Sequence, residues 1–177
     1  LPSGRELEIL KEFEKDLPKE VFTTEWKNPV NGTPAALRHN LSIAAKLLAD
    51  AGYTMKGGTL VNAKGEPLTV EFLIESPIFE RILSPYVKNL KLLGIDASIR
   101  IVDDAQYQLR LKDFDFDVIS SRFSSDVTPG SDLRIFFGTA SAKAPGSYNL
   151  SGVASPEIDA LIETVVAAKP DVFNHNL

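Results

Sequence analysis

Two short stretches of this chain hold the side chains best suited to meeting a ligand. The first is Arg122, Phe123, Ser124, Ser125 and Asp126, which follows the apolar pair Val118 and Ile119. A guanidinium forks onto a carboxylate, a carboxylate takes an ammonium, and a ring covers the stem between them. That set matches a zwitterionic guest, and it holds a molecule rather than transforms one. The second stretch is "GSYNLSG", residues 146–152, where Tyr148 and Asn149 offer a ring and an amide in a loop. A plainer reading stands beside this one: Arg122 pairs with a nearby acid, and Asp126 begins the following turn or helix.

Other combinations fit chemistry less well. His39 and His175 lack an HxxxH or HxH spacing, so neither a metal site nor a cofactor is expected. The serines between Ser120 and Ser125 are not in a G-x-S-x-G elbow. A small α/β hydrolase would therefore need Ser124 or Ser125 within reach of His39, with an oxyanion hole beside them. That enzyme is one alternative, and a non-catalytic protein-interaction domain is another. Asp103 or Asp104 caps a helix, whereas Asp113, Asp115 and Asp117 line the solvent entry to a strand. "MKGGTL" reads as a turn, not a phosphate loop. The N-x-[ST] triplets at Asn31, Asn40 and Asn149 are short enough to arise by chance.

Composition narrows the field. The net charge is -5, so the basic face that nucleic acid demands is missing, and no nucleic-acid partner is expected. No cysteine occurs, which removes thiol chemistry and disulfides. At 177 residues, 44% of them apolar, the chain is long enough for one sizeable α/β core or two small ones. No apolar run approaches the roughly 18 residues of a membrane span. A chain that opens on Leu-Pro-Ser says little, by lacking a signal peptide, about its destination.

The elements that must position these residues follow from periodicity and punctuation. Helices are expected from about Gly4 to Lys15, from Pro34 (capped by Thr33) to about Ala51, from Pro77 to Leu93, after Asp103 or Asp104, and from Ser155-Pro156-Glu157 onward. A hairpin should join a strand at Thr59–Asn62, through Lys64-Gly65, to a longer strand at Pro67–Glu75. The helix after Asp103 carries Tyr107, Leu109 and Leu111. "IDASIRIVD", with Ile95, Ala97, Ile99 and Ile101 in alternation, and "FDVISSRF" complete a strand–helix–strand–helix–strand series. This is βαβαβ grammar: an open, mostly parallel α/β sheet flanked by helices. Ligands gather outside the carboxyl ends of such strands, and the segment after Ile119 is one of those ends.

The order of "AAKLLADAGY", "GEPLTVEFLIESP", "YVKNLKLLGIDASIRIVDDAQYQLRLKDFDFDVI" and "NLSGVASPEIDALIETVVAA" resembles the family 5 extracellular solute-binding proteins, which serve bacterial ABC importers. "TPGSDLRIFFGTASAKAPGSYNLSGVASPEIDALI" is similar to the microcin C and oligopeptide branch. The resemblance implies one lobe of a type II periplasmic binding protein. Residues 35–168 would form the α/β lobe, residues 1–34 a helix and connecting loop, and residues 169–177 an irregular tail. It also implies a non-enzymatic role: capture of an oligopeptide or peptide-like solute between two lobes, at the periplasm or cell surface. The partners would be the N-terminal lobe of the same protein and the permease subunits. Oligopeptide binders hold the peptide's ammonium with an acid in a W-x-x-D setting, where Phe123 takes the aromatic position and Asp126 the acid. Arg122 would meet a carboxylate or backbone carbonyl, and Tyr148 and Asn149 would border the same cleft.

Overall fold

Acids at the front and lysines at the back favour a helix in the first segment. Helix α1 runs Gly4–Lys11, with Glu6 in its first turn and Lys11 in its last. It stops short of the expected Lys15 and continues as turns to Leu17, ahead of Pro18, whose ring nitrogen has no hydrogen to donate. The expected loop after Pro18 contains a one-turn helix, α2 (Glu20–Thr23). This computed structural model describes residues 1–123 and 130–168. Two compact units divide it: Leu1–Lys27 with Arg122–Leu177, and Asn28–Ser121.

The Asn28–Ser121 unit opens with α3 (Pro34–Asp50), whose N-cap Thr33 accepts from the Ala36 amide at 3.1 Å. Asn40, inside this helix, donates to the Val30 carbonyl at 3.1 Å and to Asn31 Oδ1 at 2.7 Å, tying the preceding turn down. The hairpin differs from expectation. Its arms are β1 (Thr54–Lys56) and β2 (Thr59–Val61), antiparallel, with Met55 opposite Leu60. Gly57 and Gly58, at φ +58° and +87°, make the tight turn between them. The expected partner of β2 keeps only a single bridge, Val61 to Pro67.

Strand β3 (Thr69–Ile74) is followed by α4 (Glu80–Leu92), β4 (Asp96–Ile101), α5 (Asp104–Lys112) and β5 (Val118–Ile119). The sheet order is β4-β3-β5 and both pairings are parallel, as the βαβαβ series requires. Phe72 pairs with Ile99 on one side and Val118 on the other. Phe72, Leu73 and Ile74 are buried, and Phe72 joins Leu60, Val87, Ile95 and Ala97 in one cluster. The strand alternation holds at Ala97 and Ile99 but not at Ile101, the last paired position, which is exposed. Leu109 on α5 is exposed as well, while Tyr107 is buried. Asp103 is the cap of α5, accepting from the Gln106 amide at 2.9 Å.

The other unit contributes α6 (Asp132–Phe137) and α7 (Pro156–Ala167). Helix α7 starts where Ser155-Pro156-Glu157 predicts, with Ser155 Oγ accepting from the Ile158 amide. Among the described residues, no helix is long and apolar enough to cross a membrane.

Candidate functional site

Of the six residues singled out as ligand contacts, Arg122, Phe123, Tyr148 and Asn149 are described, and all four belong to the unit that holds α6 and α7. Ser124 and Asp126 lie outside the described residues. The structure gathers Phe123 and Tyr148 around two rings that sequence reasoning left unused, Phe136 and Phe137 at the end of α6. Phe123 meets Phe136 edge-on, centroids 5.7 Å apart, and lies 5.6 Å from Phe137 at a shallower tilt. Phe136 then contacts Tyr148 at 6.0 Å. Edge and tilted arrangements at such distances are the favoured ones for aromatic pairs. The outer members of the cluster stay open to solvent: Phe123 is 53% exposed and Tyr148 63%. The doublet in "RIFFG" carried the signal, two adjacent rings just before a glycine in a segment with no core periodicity.

The segment that follows α6 is a polar hub. Helix α6 ends at Gly138, where an added Cβ would fall 2.6 Å from the Arg134 carbonyl oxygen, so only glycine fits. The Gly138 carbonyl accepts from Ser141 Oγ at 2.8 Å and from Asn149 Nδ2 at 3.1 Å. Asn149 Nδ2 donates also to the Val153 carbonyl at 2.8 Å, and Asn149 Oδ1 accepts from the Val153 amide at 2.9 Å. Ser147 Oγ donates to the Ser141 carbonyl at 2.6 Å and accepts from the Asn149 backbone N–H at 3.3 Å. Asn149 is wholly buried, and both hydrogens of its amide are engaged inside the loop. The expectation that it offers an amide to a guest is therefore corrected. Its polar atoms brace the loop, and Tyr148, its neighbour, is the residue left facing outward.

Helix α7 anchors α6 from the side. Arg134 grips Glu163 as a fork, Nε to Oε1 at 2.7 Å and Nη2 to Oε2 at 2.6 Å. That hydrogen-bonded fork holds the Glu163 carboxyl below its ordinary pKa and raises the pKa of Arg134. Asp159 Oδ1 accepts from the Thr139 amide at 2.9 Å. Ser155 Oγ donates to Glu157, which lowers the Glu157 pKa in turn. Arg122 is exposed and forms no ion pair among the described residues.

The remaining candidates are accounted for by the other unit's architecture. Asp115 accepts from Arg110 at 2.8 Å, and the same guanidinium reaches Glu71 on β3 at 3.0 Å. Asp117 Oδ2 accepts from the Glu71 amide at 2.9 Å, which fastens the entry of β5 to β3. Asp113 is the C-cap of α5. His39 is exposed on α3, and its supposed serine partners Ser124 and Ser125 are outside the described residues, as is His175. Among the described residues no cluster of His, Asp and Glu could hold a metal ion.

Known proteins resemble this chain in sequence and in fold. The family model for bacterial extracellular solute-binding proteins, family 5 middle, matches residues 12–144. The chain is 49% identical over 169 residues to the probable peptide-binding protein YejA of Agrobacterium fabrum, covering 95% of this chain and 28% of that protein. It is 36% identical over 165 residues to the peptidoglycan-binding protein YepA of the same organism, covering 93% of this chain and 27% of that one. The chain thus spans little more than a quarter of the length of these curated relatives. Among solved structures, the oligopeptide-binding protein AppA of Bacillus subtilis, in complex with a nonapeptide, matches 75% of this chain and 26% of its own at TM-score 0.61 and 20% identity. The mannohexaose-bound periplasmic oligopeptide-binding protein of Thermotoga maritima matches 85% of this chain and 28% of its own at TM-score 0.60 and 21% identity. At such identities the structural likeness establishes the fold, that of type II periplasmic binding proteins.

Proposed function

The chain belongs to the bacterial extracellular solute-binding proteins of family 5, and we propose that it is part of the substrate-binding component of an ABC importer that captures peptides or peptide-like solutes. The guest lies between this lobe and the N-terminal lobe of the same protein, and the closed pair docks on the permease subunits at the periplasmic face or cell surface. Arg122, Phe123, Ser124, Asp126 and Tyr148 supply this lobe's share of the contacts. Asp126 takes the guest's ammonium and Arg122 a carboxylate or carbonyl, while the exposed rings cover apolar or flat groups between them.

One observation carries this reading. Two rings, Phe123 and Tyr148, remain more than half exposed although each packs against Phe136. Exposed aromatic surface held in a fixed arrangement is what a binding platform requires, and it is costly to leave in water otherwise. Peptide binding named for the Agrobacterium relative and the nonapeptide held by the Bacillus protein support the class of guest.

Closure makes each lobe half of the site, so affinity depends on both. The test is native mass spectrometry of the complete protein purified without denaturation, followed by calorimetry with the peptide so identified. A peptide or peptide-like mass should co-purify, and Asp126→Ala should weaken free-amine peptides more than N-acetylated ones. Equal losses for the two would remove the ammonium role. A protein that carries no such mass and binds no peptide would end the proposal.

A further inference from the structure

The loop that carries Tyr148 has an unusual division of labour. The ring itself is 63% exposed. The residues immediately before and after it are turned inward and hydrogen-bonded to the segment that follows α6. Ser147 holds the Ser141 carbonyl at 2.6 Å, and Asn149 holds the Gly138 carbonyl at 3.1 Å. Asn149 also closes a two-way pairing with Val153, so the chain is clamped on both sides of one outward-facing residue. The backbone N–H of Asn149 also donates to Ser147 Oγ, which links the two clamps through the chain itself. The segment they grip begins where Phe136 and Phe137 end, and Phe136 is the ring that Tyr148 leans on.

A loop needing only to be stable would bury its ring and leave its amide in water. Here an amide is at 0% exposure and a phenol ring is outside. Buried, fully satisfied polar networks fix geometry more strictly than apolar packing does, because each bond has a direction. A ring already held in place loses little freedom when a guest stacks on it, so the gain from stacking reaches the affinity nearly undiminished.

We infer that Ser147 and Asn149 are positioning residues that act on the guest only through Tyr148, holding its ring at a fixed height and tilt against Phe136 to receive a flat or apolar group. This deepens the proposed function and rests on it. A role confined to folding would show the same hydrogen bonds but not the dependence on Tyr148, and that dependence can be measured.

The test is a double-mutant cycle in the complete protein. A pool of free-amine tripeptides is offered, the members retained are identified by mass spectrometry, and the most abundant one becomes the titration probe. Tyr148→Ala should weaken that probe by about tenfold, the loss of one stacked ring contact. Ser147→Ala and Asn149→Ala should each weaken it by about threefold or more while Tyr148 is present. In the Tyr148→Ala background neither should cost further affinity, although hydrogen exchange across residues 138–153 should still rise. If Asn149→Ala does not fold, the Ser147→Ala cycle decides alone. Equal losses with and without Tyr148 would overturn the inference while leaving the binding site standing, and so would no loss from either clamp. A pool from which nothing is retained, or a Tyr148→Ala protein that binds as well as the parent, would instead sink the proposed site.

Discussion

The two units of this chain are built by opposite means. In Asn28–Ser121 the interior is apolar: Leu73 is 0% exposed on the central strand β3, flanked by Phe72 and Ile74, and the charged contacts of Glu71 with Arg110 lie outside this core. In the unit with α6 and α7 the deepest large side chain among the described residues is the amide of Asn149, and the rings of Phe123 and Tyr148 face outward. One unit is held by area removed from water, which is large and undirected. The other buries Ile162 and Ala142 as well, but braces its loop with a few directional bonds around Gly138, each contributing about 1 kcal/mol net and costly to leave unmade. Under the proposed function, the contrast separates scaffold from contact surface. A unit that leaves Phe123 and Tyr148 exposed while burying Asn149 is arranged as the proposed contact surface requires.

Substitutions can break that contrast, and the largest effect belongs to the apolar unit. Leu73→Ala should destabilise by about 2–5 kcal/mol through lost burial and the cavity left between the sheet and its helices. Urea denaturation reads this directly, and a loss under 1 kcal/mol would mean that β3 is not the centre of the core. Gly138→Ala comes next, at about 1–3 kcal/mol, because the new methyl would press on the Arg134 carbonyl at 2.6 Å and force the end of α6 aside. Its damage should be local: hydrogen exchange should rise across residues 134–153 and stay unchanged in β3. Uniform loosening of both units would erase the distinction between them.

The smallest effect is the most sharply signed. The carboxyl of Glu163 is held below its ordinary pKa by the Arg134 fork, so its contribution is complete above the ordinary carboxylate range. It fades as the pH falls through the lowered value, when the proton displaces the guanidinium. Melting of the α6–α7 region should therefore become easier in acid, and Glu163→Gln should remove that part of the acid dependence while changing the neutral-pH melting point little, since the pair is open to solvent. A variant whose acid sensitivity matches the parent would place the titrating group elsewhere.

Legibility in the sequence follows the same divide. Val70, Phe72 and Ile74 alternate along β3, Thr33-Pro34 and Ser155-Pro156 announce helix starts, and the strand–helix alternation implies parallel pairing; all of these are short-range patterns whose causes lie within one element. The hairpin misled because two glycine turns, at Gly57-Gly58 and near Gly65, compete for the same middle strand, and local rules do not rank them. Ile101 and Leu109 fit the apolar pattern but find no cover, since periodicity says which face a residue is on and not where the covering helix stops. Neighbouring residues give the chemistry of Asn149 but not its partners, since no local spacing rule pairs it with Gly138 and Val153.

The amino-acid order by itself determined the helices with clear caps, the strands of the parallel sheet and the family, because helix caps and apolar periods are written in neighbouring residues. Only the tertiary structure decided that Phe136 and Phe137 complete a ring cluster with Phe123 and Tyr148, and that the amide beside Tyr148 turns inward. Those outcomes depend on which surfaces and carbonyls meet across gaps of many residues, a matter of long-range geometry that no local pattern encodes.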